Sequence, residues 1–231
     1  MVRSVAALAI SLLMLLSFLP LVSGELQPSL TYDMLIDNEG TGFITVSFID
    51  PRQSGTRSFW LYLPKDFDFA KSSFSGRLLN KSIPSDESQG GTSYVFYDNV
   101  TIWYESPFSV EFRWNMSYAA LIIEPDAITY SPAIDFSPDL QPTFTVHLPN
   151  STTRVLEFFP NPTQRGSLDY TFAPAQDSRI AIVFQVTGTL DTVFVNSSHF
   201  SIGSPTRYVT IAKRLISFYE NVTPGLDSIF Q

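Results

Sequence analysis

From Ser29 to Ile202 the chain alternates short runs rich in Phe, Tyr, Val, Ile and Thr with Pro, Gly, Ser and Asn. β-Branched and aromatic residues fit a pleated, half-buried surface, and the punctuation between them is turn chemistry. Ser29 to Asp37 and Phe43 to Asp50 flank NEGTG, a glycine-bearing loop of hairpin length. Ser58 to Leu63 forms a third run, closed by Pro64. Between Lys65 and Gly91 the chain turns polar, and KSIPSDESQGG reads as an exposed loop. Further runs cover Tyr94–Tyr97, Val100–Tyr104, Val110–Tyr118, Ala119–Glu124, Thr143–Leu148, Arg154–Phe159, Ser167–Phe172, Arg179–Thr187, Asp191–Val195 and His199–Ile202. This spacing predicts an all-β fold, an antiparallel β-sandwich or large curved sheet of about a dozen strands. We expect one β-domain over residues 25–203, with a break near Ser137–Pro142 as the alternative division.

The first 24 residues read as a signal peptide. Arg3 supplies the positive start, Val5 to Val22 is almost continuously apolar, and Val22 and Gly24 suit cleavage before Glu25. An uncleaved anchor is the alternative, since about 18 apolar residues almost span a bilayer. In both cases the remainder is expected to be extracellular or on the cell surface. Six N-x-[ST] sequons agree, at Asn80, Asn99, Asn115, Asn150, Asn196 and Asn221, and they predict a glycoprotein. Cysteine is absent, which a chain of this length tolerates because it can build a core without disulfides. Export, sequons and missing cysteine together fit an archaeal or bacterial surface protein. The formal charge of −8 argues against a nucleic-acid partner, which needs basic groups to neutralise phosphates. No membrane contact beyond the leader is expected.

Residues 204–231 depart from the β pattern. Ser204 suits a helix cap and Pro205 a first helical position, with Tyr208, Ile211, Ala212, Leu215, Phe218 and Tyr219 on one face. Lys213 and Arg214 then lie toward the negative end, and Pro224 is expected to stop the helix. Such a stripe would bury roughly 400 Å², about 10 kcal/mol before entropy. It needs a covering surface.

The chemistry is defined mostly by what is missing. There is no cysteine nucleophile, no G-x-S-x-G elbow, no H-E-x-x-H and no glycine-rich phosphate loop. His147 and His199 read as strand histidines on polar faces, and Asp66-x-Asp68 as surface rather than a calcium loop. Glu105, Glu111, Glu124 and Glu157 offer carboxylates to a glycosidase, but spacing along the chain does not pair them. No catalytic residue, metal ligand or cofactor is assigned. Trp60, Trp103 and Trp114 are either core rings or a platform on which sugars stack.

The segment SPTRYVTIAKRLISFYENVTPGLDSIF resembles the opening of the catalytic region in gluzincin-type (M1-like) zinc metallopeptidases. Arg207, Tyr208, Ala212, Phe218, Tyr219, Glu220 and Pro224 carry the resemblance. It implies a large β-domain followed by the first helix of a peptidase body. The zinc motif expected later in such a body is not in this chain, so the resemblance implies a non-catalytic accessory part, truncated or separate from its enzyme half. Its expected partner is that peptidase body, met through Tyr208, Ile211, Leu215, Phe218 and Tyr219. The alternative is a complete envelope module that binds glycan or protein. A stand-alone glycosidase is a third class.

Overall fold

The computed structural model describes residues 26–83 and 96–230. The expected leader and most of the KSIPSDESQGG segment lie outside the described residues. Among the described residues fourteen strands precede one long helix. They are β1 (Ser29–Ile36), β2 (Gly42–Asp50), β3 (Thr56–Pro64), β4 (Ser73–Ser82), β5 (Tyr97–Met116), β6 (Ala120–Ile123) and β7 (Asp126–Tyr130). After them come β8 (Thr143–His147), β9 (Thr152–Phe159), β10 (Gln164–Arg165), β11 (Asp169–Phe172), β12 (Ala181–Val186), β13 (Thr192–Asn196) and β14 (Ser201–Pro205). A 3-10 turn, Thr206–Tyr208, leads into α1, Val209–Phe230.

The larger sheet runs β10-β11-β8-β1-β2-β5-β3, with β4 on the other side of β5. The second sheet is β6-β7-β12-β9. The pairs are antiparallel except β1 with β8, which run parallel. That parallel pair joins residues on both sides of Ser137–Pro142, so the segment does not divide the fold. One core lies between the sheets, because residues from both, such as Phe48, Phe112, Phe144, Ile182 and Phe184, form a single buried cluster. The chain is an all-β, sandwich-like protein. Alternation explains the layering: β1 and β2 expose and bury successive residues, as a two-fold strand repeat requires.

Strand β5 organises the larger sheet. The sequence suggests two strands, Val100–Tyr104 and Val110–Tyr118, but one 20-residue strand runs through both. Its first half pairs with β3 and its second with β2, so those two strands follow one another along the same edge. The other edge takes β4, which lies in the polar stretch where no strand was expected and overlaps the expected loop only at Lys81 and Ser82. Every residue of β4 is exposed, so no alternation marks it in the sequence. Gly76 permits the pairing. It sits at φ +94° in a bulge between Ser75 and Arg77, where an added Cβ would meet the Pro107 carbonyl oxygen at 2.5 Å.

The run Ala119–Glu124 forms β6, the first arm of a hairpin that turns at Pro125 into β7, a strand not among the expected runs. The helix starts later and ends later than its sequence signals suggest. Ser204 and Pro205 belong to β14, paired with Val193 and Thr192, and α1 continues beyond Pro224. Proline removes one N–H bond and bends a helix, but the remaining bonds can carry it on. Lys213 and Arg214 are therefore mid-helix, and no basic residue sits in the last turn. Among the described residues no helix is long and apolar enough to cross a membrane.

Candidate functional site

Hairpin β13–β14 forms a sheet of its own, and α1 lies against it. At 3.6 residues per turn the apolar side of α1 spans roughly 180°, from Phe218 through Ile211, Val222, Leu215, Tyr219, Ala212 and Ile216 to Val209. The hairpin covers one half of this arc. Ala212 and Ile216 are 3% and 7% exposed. The other half stays bare: Leu215, Phe218, Tyr219 and Val222 are 44%, 59%, 44% and 37% exposed. Of the five helix residues expected at an interface, Leu215, Phe218 and Tyr219 are thus open, while Tyr208 and Ile211 are half-buried. Sequence reasoning missed Ile216, which is the helix's second anchor.

The helix is fastened at both ends of its contact. At the far end Glu220 accepts hydrogen bonds from the Ser198 hydroxyl and the His199 N–H at 3.2 and 3.0 Å, and pairs with the His199 ring at 2.8 Å. Bonds from Ser197 and His199 hold its carboxyl down to about 2. Phe200 packs beside Tyr219, 5.6 Å between centroids. At the near end, Tyr208 accepts the Ile122 N–H at 2.8 Å through its hydroxyl oxygen. Arg207 donates to the Asn38 carbonyl at 2.9 Å and to the Glu124 carboxylate. Four of the residues that carry the peptidase resemblance, Arg207, Tyr208, Ala212 and Glu220, therefore set the helix in place. Phe218 is left projecting.

The tryptophans do not make one platform. Ser58 pairs with Trp103 and Trp60 with Thr101, which puts Trp60 and Trp103 on the outer face of the sheet. Trp114 has the opposite parity along β5 and packs against the core beside Phe67. The sequons are not loop features either. Asn80, Asn99, Asn115 and Asn196 lie on strands, Asn221 on α1, and only Asn150 in a turn. All are exposed except Asn99, which is half-buried.

Of the four glutamates that the sequence offered, three are engaged by arginines. Glu105 pairs with Arg77 at 3.0 Å, Glu111 with Arg113 at 2.7 Å, and Glu124 with Arg207. Glu157 is exposed on β9. Asp68 caps the 3-10 turn Phe69–Lys71 by accepting the Ala70 N–H at 3.0 Å. His147 lies across three strands, with Nδ1 2.7 Å from Asp169 and Nε2 2.9 Å from Asp33. Burial pulls its pKa down, but the two carboxylates outweigh that and raise it above the ordinary imidazole value. With both His147 nitrogens occupied, that ring cannot act as a zinc ligand without losing a partner. Among the described residues no group of three or more acids and histidines is arranged to hold a metal ion. The described residues do not fit zinc.

The feature sequence reasoning missed altogether is a buried carboxylate. Asp50, fully buried where β2 hands over to β3 along β5, takes a two-pronged contact from Arg52, 2.7 Å on each oxygen. The Tyr104 and Ser106 hydroxyls donate to it at 2.8 Å each. Every one of these groups serves the strand junction.

No family model matches the chain. No curated protein matches it. Among solved structures the chain is similar to an aminopeptidase N family protein from Idiomarina loihiensis, at 12% identity and a TM-score of 0.35. The match covers 75% of this chain and 32% of that one, so the chain spans about a third of that protein's length. The likeness is distant.

Proposed function

We propose that this protein is an exported, non-catalytic accessory β-domain that works with a zinc-peptidase body and is inactive alone. The observation that carries the reading is the uncovered half of α1. A helix fixed by Arg207, Tyr208 and Glu220 presents Leu215, Phe218 and Val222 in one row to solvent. Rows of large apolar side chains on a fixed helix mark interaction surfaces. The resemblance of residues 204–230 to the helix that opens a gluzincin catalytic region names the chemistry of the partner. The body would seat on the Leu215–Phe218–Val222 row and bring its own metal site.

The test is a comparison of the wild-type chain with a Leu215→Glu/Phe218→Glu variant, each tagged and isolated from its native cells. Wild type should bring with it a polypeptide bearing H-E-x-x-H and an aminopeptidase activity that a chelator abolishes. The variant should fold, bring neither, and show no activity. Peptide hydrolysis by the purified chain alone would refute the reading. So would recovery of the same partner by both proteins, or a wild-type chain that carries no such polypeptide.

A further inference from the structure

A second surface owes nothing to the helix. Tyr97 at the start of β5 and Trp114 near its end line the same cleft, of about 870 Å³. The turn after β3 fills the space between those ends. Phe67 from that turn stands perpendicular to Trp114, 6.1 Å between ring centroids, and also meets Phe112 at 5.6 Å. The cleft therefore has a fixed aromatic wall continuous with the core. Its volume falls among those of small-molecule sites, about 300–1,000 Å³.

The charges around this wall run against those of the whole molecule. In a chain of formal charge −8, the cleft collects Lys65, Lys71 and Arg113 against Asp66 and Asp68. Lys65 and Lys71 have no ion-pair partner among the described residues, whereas Arg113 is held by Glu111 at 2.7 Å. Asp68 is occupied as a turn cap. The ligand that fits this lining needs a flat apolar face for the rings, a carboxylate for the two lysines, and hydroxyl groups that donate to Asp66. A polyphosphate or nucleic-acid strand meets repulsion from the two aspartates and finds only three cations. A purely apolar ligand leaves the lysines idle.

We propose that this cleft binds an acidic saccharide, a short run of hexuronic acid units whose ring faces stack on Trp114 and Phe67 while a carboxylate pairs with Lys65 and Lys71. The proposal rests on the glycan-binding reading of the tryptophans and not on the helix partner, so either can fail alone. Trp114 is the one tryptophan of the three that takes part. Asn115 begins a sequon at the cleft edge, so the protein for the test is made in a host that leaves it unmodified.

Calorimetry of the full chain with tetragalacturonate, and with the uncharged galactose tetramer, reads the outcome directly. The acidic tetramer should bind saturably, at least tenfold more tightly than the neutral one, and more weakly as salt rises. Lys65→Glu/Lys71→Glu, two exposed positions whose change leaves the core intact, should weaken it tenfold or more. Trp114→Phe keeps an apolar ring in the core and should weaken it less than Trp114→Ala. No binding of the galacturonate, glucuronate and sulfated galactose tetramers at millimolar concentration overturns the proposal. Equal binding of the neutral tetramer, tighter binding of an oligoglutamate peptide, or indifference to the lysine reversals overturns it as well.

Discussion

Asp50 shows what a single side chain does for this fold. Strand β5 changes partner between Glu105, opposite Thr56, and Phe108, opposite Asp50 itself, and the backbone ladder is interrupted there. A buried carboxylate with a two-pronged arginine and two hydroxyl donors bridges the gap. Burial on its own would push the Asp50 pKa up. The bonds from Arg52, Tyr104 and Ser106 outweigh it and hold the carboxyl well below the usual range. Removing one partner of a buried pair strands the others, so Asp50→Ala should cost about 3 kcal/mol at neutral pH. The sign with pH follows from the depressed value. The contribution is complete above the unfolded pKa of about 4 and fades as pH falls below it. Urea midpoints of wild type and Asp50→Ala should therefore converge between about pH 4 and pH 2. A gap that stays constant over that range would show that Asp50 is not ionised in the native protein. None of this was legible in IDPRQSG, where Asp50 only closes the run from Phe43 and its partners Tyr104 and Ser106 lie far along the chain.

The helix and its hairpin give the sharpest contrast between neighbouring positions. Ile216 faces β13–β14 and Leu215, next to it in sequence, faces solvent. Ile216→Ala should cost about 2–4 kcal/mol of local stability, because it empties a packed site. Leu215→Ala should stay within about 0.5 kcal/mol. Hydrogen exchange across residues 209–220 separates them: amides there should speed up in the first variant and keep their wild-type rates in the second. Equal effects would place the hairpin contact elsewhere. At this scale the sequence was informative where one face of an element is buried. Alternation in Ser29–Asp37 and Phe43–Asp50 reproduced β1 and β2 almost to the residue, and the apolar spacing from Tyr208 found α1. It failed for β4, a strand fixed only by the edge of β5 and the glycine bulge at Gly76, with no buried face to leave a pattern. It also failed to assign sides on α1. An apolar arc half a turn wide contains two candidate contact faces, and only the hairpin's position chooses between them.

At the scale of the whole molecule, Arg207 and Tyr208 tie the hairpin–helix unit to the sandwich from the helix side. Arg207 reaches the β1–β2 loop at Asn38 and Glu124 beside the β6–β7 turn, and so ties the unit to both sheets at once. Glu39 lies 3.8 Å away and adds a weaker pull. The same β1–β2 loop meets the second sheet directly, through the Ala120 N–H bonded to the Gly40 carbonyl at 2.9 Å. The loop is thus held by the sandwich with or without the helix. That asymmetry fixes the expected result of Arg207→Ala. The sandwich should keep its stability, since its own bond to Gly40 is intact. The hairpin–helix unit should loosen, because Glu124 then loses its cation and Tyr208 alone remains to anchor the unit at β6. Exchange of the amides in residues 192–216 should accelerate tenfold or more while those of β1, β2 and β12 are unchanged. Uniform acceleration throughout would mean that the unit and the sandwich unfold as one body. No acceleration would mean that apolar contact, rather than the arginine, joins them, and the row of Leu215, Phe218 and Val222 would then owe its orientation to packing alone.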